Sequence, residues 1–246
     1  MKDNFSQQAA LYAQFRPTYP AELYKFLCTL IGKKHCAWDC GTGNGQVAAV
    51  LAQYFEEVYA TDISEKQIEK AVKKANIYYS IQPAERTSFA DNQFDLTTVA
   101  QAIHWFKFEE FYAEAKRTLK PGGILAVIGY GLVQTERKLN EVIRHFYTEV
   151  VGPYWDAERK FIDEEYKTIP FPFEETATPQ FAMEYEWNIE QLSGYLSTWS
   201  SVQHYIKQNH TDPVVKVREQ LQQVWGAGTF RHFTFPVLLR VGYAAV

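Results

Sequence analysis

Two carboxylates and three alternate glycines carry the chemistry legible in this sequence. Asp39 lies in a short apolar run, Cys36-Ala-Trp-Asp-Cys40, and Gly41-Thr42-Gly43-Asn44-Gly45 follows it directly. Asp62 comes 23 residues after Asp39. Alternate glycines let the backbone approach a ligand closely and permit positive φ, and a helix starting behind them leaves its first N–H groups available as donors. The dinucleotide fingerprint is Gly-x-Gly-x-x-Gly; here the third glycine comes one residue early, and Asp39 would repel a pyrophosphate. A carboxylate at that place suits an α-ammonium group, directly or through water. Asp62, at the end of a second strand, can accept from both hydroxyls of a ribose. The ligand so implied has a ribose and a cationic amino-acid tail.

Positioning these groups requires strands that end where the loops begin. Residues 36–40 read as a buried strand, and Val47, Val50, Leu51 and Tyr54 then recur at helical spacing. Strands are expected at 57–61, 77–81, 94–100 and 124–128, with helices over 64–75 and 108–119 and a turn at Lys120-Pro-Gly-Gly123. Ser64 and Gln67 fit a capping box opening the first of these helices. Strands alternating with helices at this spacing imply a doubly wound parallel sheet.

Two helices, over 5–15 and 21–31, are expected ahead of the first strand, separated by Arg16-Pro-Thr-Tyr-Pro20. Beyond Gly129 the pattern changes. Residues 136–167 read as helical, Pro170, Pro172 and Pro179 break the chain, and residues 181–187 alternate strictly as a half-buried antiparallel strand. Helices follow between 189 and 225, one opened by Asp212 and Pro213, and a last strand covers 234–244. The fold class expected is α/β, a seven-stranded, mostly parallel, Rossmann-like sheet. Its two late strands (180–187 and 234–244) pair antiparallel at the edge. The whole chain, 1–246, is expected to be one domain: cover 1–32, cofactor-binding core 33–130, and helical substrate cover 131–179 and 188–230.

With 246 residues, 46% of them hydrophobic, the chain has ample material for a core. A net charge of −4 and basic runs no longer than a pair argue against non-specific nucleic-acid binding. No apolar stretch approaches membrane-spanning length and the start lacks a signal-peptide core, so a soluble cytoplasmic monomer or homodimer is expected. Cys28, Cys36 and Cys40 form no paired thiol motif and read as small buried hydrophobes; no metal site is expected.

Four segments in order and spacing, Trp38 to Gly45, Ala60 to Ser64, Ala84-Glu85 with Phe89 to Leu96, and Leu119 to Gly123, resemble the class I S-adenosylmethionine-dependent methyltransferases. Arg16 to Pro20, Ala100 to Phe106 and Tyr195 to Ser200 further resemble the small-molecule subgroup that includes trans-aconitate methyltransferase. The resemblance implies S-adenosyl-L-methionine as cofactor. Asp39 with Gly41, Thr42, Gly43 and Gly45 would hold its methionine portion, Asp62 its ribose and Ile63 its adenine. Ala84 and Glu85 would lie at the adenine edge, and Gln101 beneath the methionine tail. Gln82-Pro83 departs from the Gly-Asp that relatives often carry there.

Methyl transfer from a sulfonium needs alignment, exclusion of water and an unprotonated nucleophile. A carboxylate is already ionised at neutral pH, whereas a phenol benefits from a base, for which His104 is the candidate nearest in sequence. Ala100-Gln-Ala-Ile103 stands where exocyclic-nitrogen methyltransferases carry Asn/Asp-Pro-Pro-aromatic. The expected acceptor is therefore an oxygen of a small molecule, a carboxylate ahead of a hydroxyl, with Arg16 and Tyr19 closing over cofactor or substrate. The alternatives are a nicotinamide-dependent oxidoreductase and a non-catalytic module that only binds S-adenosylmethionine.

Overall fold

A computed structural model describes residues 15–244. The expected helix over 5–15 lies outside the described residues but for Phe15.

The first strand, β1 (Cys36–Cys40), is the middle of a parallel layer. It pairs on one side with β2 (Glu57–Asp62) and on the other with β4 (Phe94–Ala100), setting Asp39 opposite Ala60 and Thr98. With both faces covered by helices, the strand is apolar apart from Asp39; Trp38 is fully buried and satisfies its indole by donating to Thr61 Oγ1 at 2.9 Å. β3 (Ile77–Ile81) joins β2, and β5 (Leu119–Tyr130) joins β4, both in parallel. Between the strands run α1 (Ala21–Thr29), ahead of β1, then α2 (Gln46–Leu51), α3 (Glu65–Glu69) and α4 (Phe108–Thr118).

Among the described residues the sheet has eight strands rather than seven, in the order β3-β2-β1-β4-β5-β8-β6, with β7 also on β8. The additional strand, β6 (Glu174–Thr176), lies in the proline-containing stretch; at three residues it is too short to show alternation. β7 (Ala182–Trp187) and β8 (Arg231–Tyr243) pair antiparallel as expected. β8 is not an edge strand, however. Its first half pairs with β7 through Pro236, and its second half lies between β5 and β6.

Three local expectations also change. The residues 120–123 expected as a turn are absorbed into β5, where the register slips between Phe94 and Leu96 to take up the Pro-Gly-Gly. The helix over 64–75 stops at Glu69, and no capping bond comes from the Ser64 side chain. The helical stretch over 136–167 breaks into α5 (Arg137–His145), a π turn at Phe146–Val150, short 3-10 turns and α6 (Lys160–Asp163). α7 (Ile189–Ser197), α8 (Ser200–Asn209) and α9 (Pro213–Val224) follow β7, and Asp212 caps α9 by accepting from Val214 N at 2.9 Å. These helices share a core with the aromatic face of β7 and β8; Trp187, Trp199 and Trp225 are all buried in it.

Candidate active site

The glycine loop between β1 and α2 is locally over-determined. Gly41, Gly43 and Gly45 all have positive φ, at 69°, 56° and 79°. A Cβ on Gly45 would stand 2.1 Å from Tyr79 Oη, and one on Gly41 2.6 Å from Ala102 Cβ, so both also need to be small. At Gly43 a Cβ would meet nothing within 4 Å, because Gly43 lines an open cleft. Thr42 N donates to Thr61 O at 2.9 Å and Gly43 N to Asp62 Oδ2 at 2.9 Å, tying the loop to the end of β2. Asp62 Oδ1 accepts from Ser64 N at 2.9 Å, which fixes the carboxylate from its other side.

Asp39 is 1% exposed and forms the floor beneath this loop. Its Oδ2 accepts from Thr42 Oγ1 at 2.5 Å and Ala48 N at 3.1 Å, and its Oδ1 from Thr98 Oγ1 at 2.8 Å. Burial pushes its carboxyl up to about 6, and these three bonds hold it from rising further. Its accepting capacity is thus used to tie β1 to the loop at Thr42, to α2 at Ala48 and to β4 at Thr98, with one Oδ1 lone pair left over. Thr98 sits on the neighbouring strand opposite Asp39, a partner that no motif in the sequence announces.

The cleft encloses about 990 Å3 including its mouth, the size of a small-molecule site. Asp39, Gly41, Thr42, Gly43, Asp62, Ile63, Gln101, Arg16 and Tyr19 all line it. Gln101 has φ 53°, uncommon for a residue with a side chain; its N–H donates to Ile128 O at 2.8 Å and its Nε2 to Tyr130 O at 3.2 Å. Arg16 crosses the cleft mouth, its Nη1 donating to Tyr130 Oη at 2.7 Å and its Nη2 to Thr198 O at 3.1 Å. The following Thr18 N donates to Tyr185 Oη at 2.8 Å, so the Arg-Pro-Thr-Tyr-Pro segment is fastened to β5, α7 and β7.

Four expected residues lie outside that lining: Gly45, Ala84, Glu85 and His104, the last in a neighbouring space. Gly45 caps α2 behind the loop. Ala84 is packed in the core beside Trp38, and Glu85 Oε1 accepts from Lys107 N at 3.1 Å, so its carboxylate serves the N-terminus of α4.

A second chamber of about 480 Å3 adjoins the cleft and shares Arg16, Gln101 and Trp105 with it. His104 is in this second chamber, 6% exposed, with Nδ1 3.3 Å from Tyr166 Oη. Burial, and then the charge of Arg159, lowers its pKa to about 3, so the ring is neutral. Trp199 falls in the Tyr195–Ser200 segment, whereas no motif marks Tyr130, Trp155 or Arg159, yet each of the four lines one of the two spaces. The mixture of aromatic and polar residues around 154–161 hints at Trp155 and Arg159 alone.

The model of a methyltransferase-domain family matches residues 38–127, the β1–β5 region that builds the loop and cleft. A Dictyostelium discoideum protein bearing a methyltransferase name is 35% identical over 96% of this chain and 93% of its own. A methyltransferase of Aspergillus candidus is 30% identical over 74% of this chain and 64% of its own. Among solved structures, one from Anaeromyxobacter dehalogenans, described as a type II methyltransferase, superposes with a TM-score of 0.87 at 34% identity. It covers 94% of this chain and 99% of that one. Since a relative of this identity runs along nearly the whole chain and the family model falls on the strands that carry the cleft, the chain belongs to the class I S-adenosylmethionine-dependent methyltransferases.

Proposed function

We propose that this methyltransferase acts on an oxygen of a small-molecule acceptor, a carboxylate in preference to a hydroxyl. The observation that supports it is the state of His104. A ring whose pKa burial lowers to about 3 is a weak base and gives a phenol near 10 little assistance. A carboxylate needs no base, only orientation. The narrower resemblance to the trans-aconitate methyltransferase subgroup points the same way.

The residues present suit the cofactor. In this reading Asp62 accepts from the ribose hydroxyls, Ile63 packs on the adenine, and the Gly41–Gly43 loop with Gln101 holds the methionine portion. Asp39 holds that loop and reaches the α-ammonium through its remaining lone pair, directly or through water. When bound, S-adenosylmethionine supplies an activated methyl group for in-line displacement. The protein then has to orient the acceptor oxygen and exclude water, which Arg16 and Tyr19 do by covering the cleft and which Gln101 and Trp105 do at the wall between the two chambers.

A product-mass screen with labelled S-adenosylmethionine and a library of carboxylic acids, phenols and amines tests this. Alkali-labile methyl esters are the expected products. Transfer only to nitrogen, or only as alkali-stable ethers, would overturn the carboxylate preference.

A further inference from the structure

We infer that Arg159 is an anchor for a non-reacting carboxylate of the acceptor, making it a specificity-determining residue at the far end of the second chamber. This rests on the reading of that chamber as the acceptor site.

Arg159 is held ready rather than spent. Its Nε donates to Tyr147 Oη at 2.7 Å and lies 3.4 Å from Asp163 Oδ1, and its guanidinium sits 4.6 Å from the centre of the Trp155 ring. Among the described residues no hydrogen bond or ion pair engages its two terminal nitrogens, although only 19% of the side chain is exposed. A guanidinium pinned through Nε and stacked on an indole presents its remaining edge as a fixed fork, the geometry that takes a carboxylate through two parallel bonds. Ser200, the first residue of α8, lines the same space and adds a hydroxyl donor.

Charge and shape agree with this. Arg16 and Arg159 line the chamber with one carboxylate among its described residues, Asp156, which lies 3.9 Å from His204 Nδ1. His104 adds no charge in its neutral state. Trp105, Trp155 and Trp199 supply flat apolar walls.

Position decides which end of the acceptor reacts. Arg16, Gln101 and Trp105 belong to both spaces, whereas Arg159 and Trp155 belong only to the second. A carboxylate gripped by Arg159 is therefore at the end away from the cofactor cleft, with its lone pairs engaged, and the oxygen that receives the methyl group is at the shared wall. The acceptor class is a flat, unsaturated or aromatic acid with a second oxygen nucleophile.

The test uses the full chain saturated with S-adenosylhomocysteine, titrated with trans-cinnamate and, separately, with its neutral amide. Binding is read by calorimetry and by quenching of tryptophan fluorescence. The acid should bind about tenfold or more tightly than the amide, as a charge-assisted bidentate contact implies. Arg159→Met should abolish that preference while leaving S-adenosylhomocysteine affinity unchanged. Should Arg159→Met fail to fold, Arg159→Lys decides, with a several-fold loss of acid affinity expected from loss of the fork. Equal binding of acid and amide to the wild type, no binding of the acid, or an undiminished preference in a folded variant would each overturn the proposal. A turnover screen without oxygen methylation would instead sink the acceptor reading and leave this binding result standing.

Discussion

Arg16 Nη1 donates to the Tyr130 hydroxyl across 2.7 Å, joining the segment before α1 to the end of β5, 114 residues away. This bond closes the cleft at the strand ends, where an open α/β sheet presents its ligand crevice. Neither residue is fixed in place by its own neighbours in sequence. The bond adds to the Arg16–Thr198 and Thr18–Tyr185 bonds that fasten the same segment.

Tyr130→Phe removes the acceptor and keeps the ring. A part-buried bond to a charged donor contributes about 1–2 kcal/mol, so cofactor Kd and acceptor KM should both rise by about tenfold. The change should fall less on kcat, since the reacting groups are untouched. Steady-state kinetics and calorimetry check it; unaltered Kd and KM would mean that the bridge does not hold the cover.

Asp62→Ala should abolish measurable S-adenosylmethionine binding by calorimetry. The substitution removes the proposed ribose acceptor and also releases Gly43 N and Ser64 N, which Asp62 holds at the end of β2. Far-UV circular dichroism should remain that of the wild type, because Asp62 is at a strand end rather than in the core. Retained binding would sink the assignment of Asp62 to the ribose.

Gly45→Ala sets a Cβ 2.1 Å from Tyr79 Oη on a residue at φ 79°. Strain at positive φ and displacement of the Tyr79 hydroxyl, which donates to Val72 O at 2.7 Å, together should cost about 2–3 kcal/mol in chemical denaturation. Gly43→Ala has the strain without the clash, so it should cost about 1–2 kcal/mol and instead weaken cofactor binding, its Cβ projecting toward the cleft. Equal stability losses in the two variants would contradict this division.

Asp39 carries a pH signature. Its carboxyl is pushed up to about 6 from the ordinary 3.8, so the folded state holds the proton more tightly than the unfolded chain. The stability this contributes is complete below about pH 4 and is lost as pH rises through about 6, by roughly 3 kcal/mol. Urea denaturation across this window should show the wild type gaining on Asp39→Asn as the pH falls. A difference that stays flat with pH would show that Asp39 does not titrate there.

His104 should leave no mark on catalysis near neutrality. With its pKa lowered to about 3, kcat/KM should lack a limb from this ring between about pH 5 and 8, and His104→Gln should retain the wild-type profile. A limb that disappears in the variant would restore His104 as a base and favour a hydroxyl acceptor.

What the sequence determined by itself was local. Alternate glycines, an apolar run before them and helical spacing after them specify a strand, a left-handed turn and a helix within about twenty residues, because φ preference and periodicity act over that range. Asp39 and Asp62 could be placed for the same reason, at the C-terminal ends of two successive strands. The short and irregular pieces escaped: β6 has too few residues for a period, and the stretch after Arg137 interrupts its helix with a π turn. Tertiary structure alone decided who meets whom. Thr98 takes the Asp39 carboxylate because β4 lies beside β1; Glu85 turns to the start of α4; and the second chamber gathers Arg16, His104, Arg159 and Ser200 from four separate stretches. Contacts between residues so distant in sequence are set by the packing of sheet and cover as a whole, and no local pattern encodes them. The cofactor was therefore legible in the first half of the chain, while the second chamber existed only once the chain had folded.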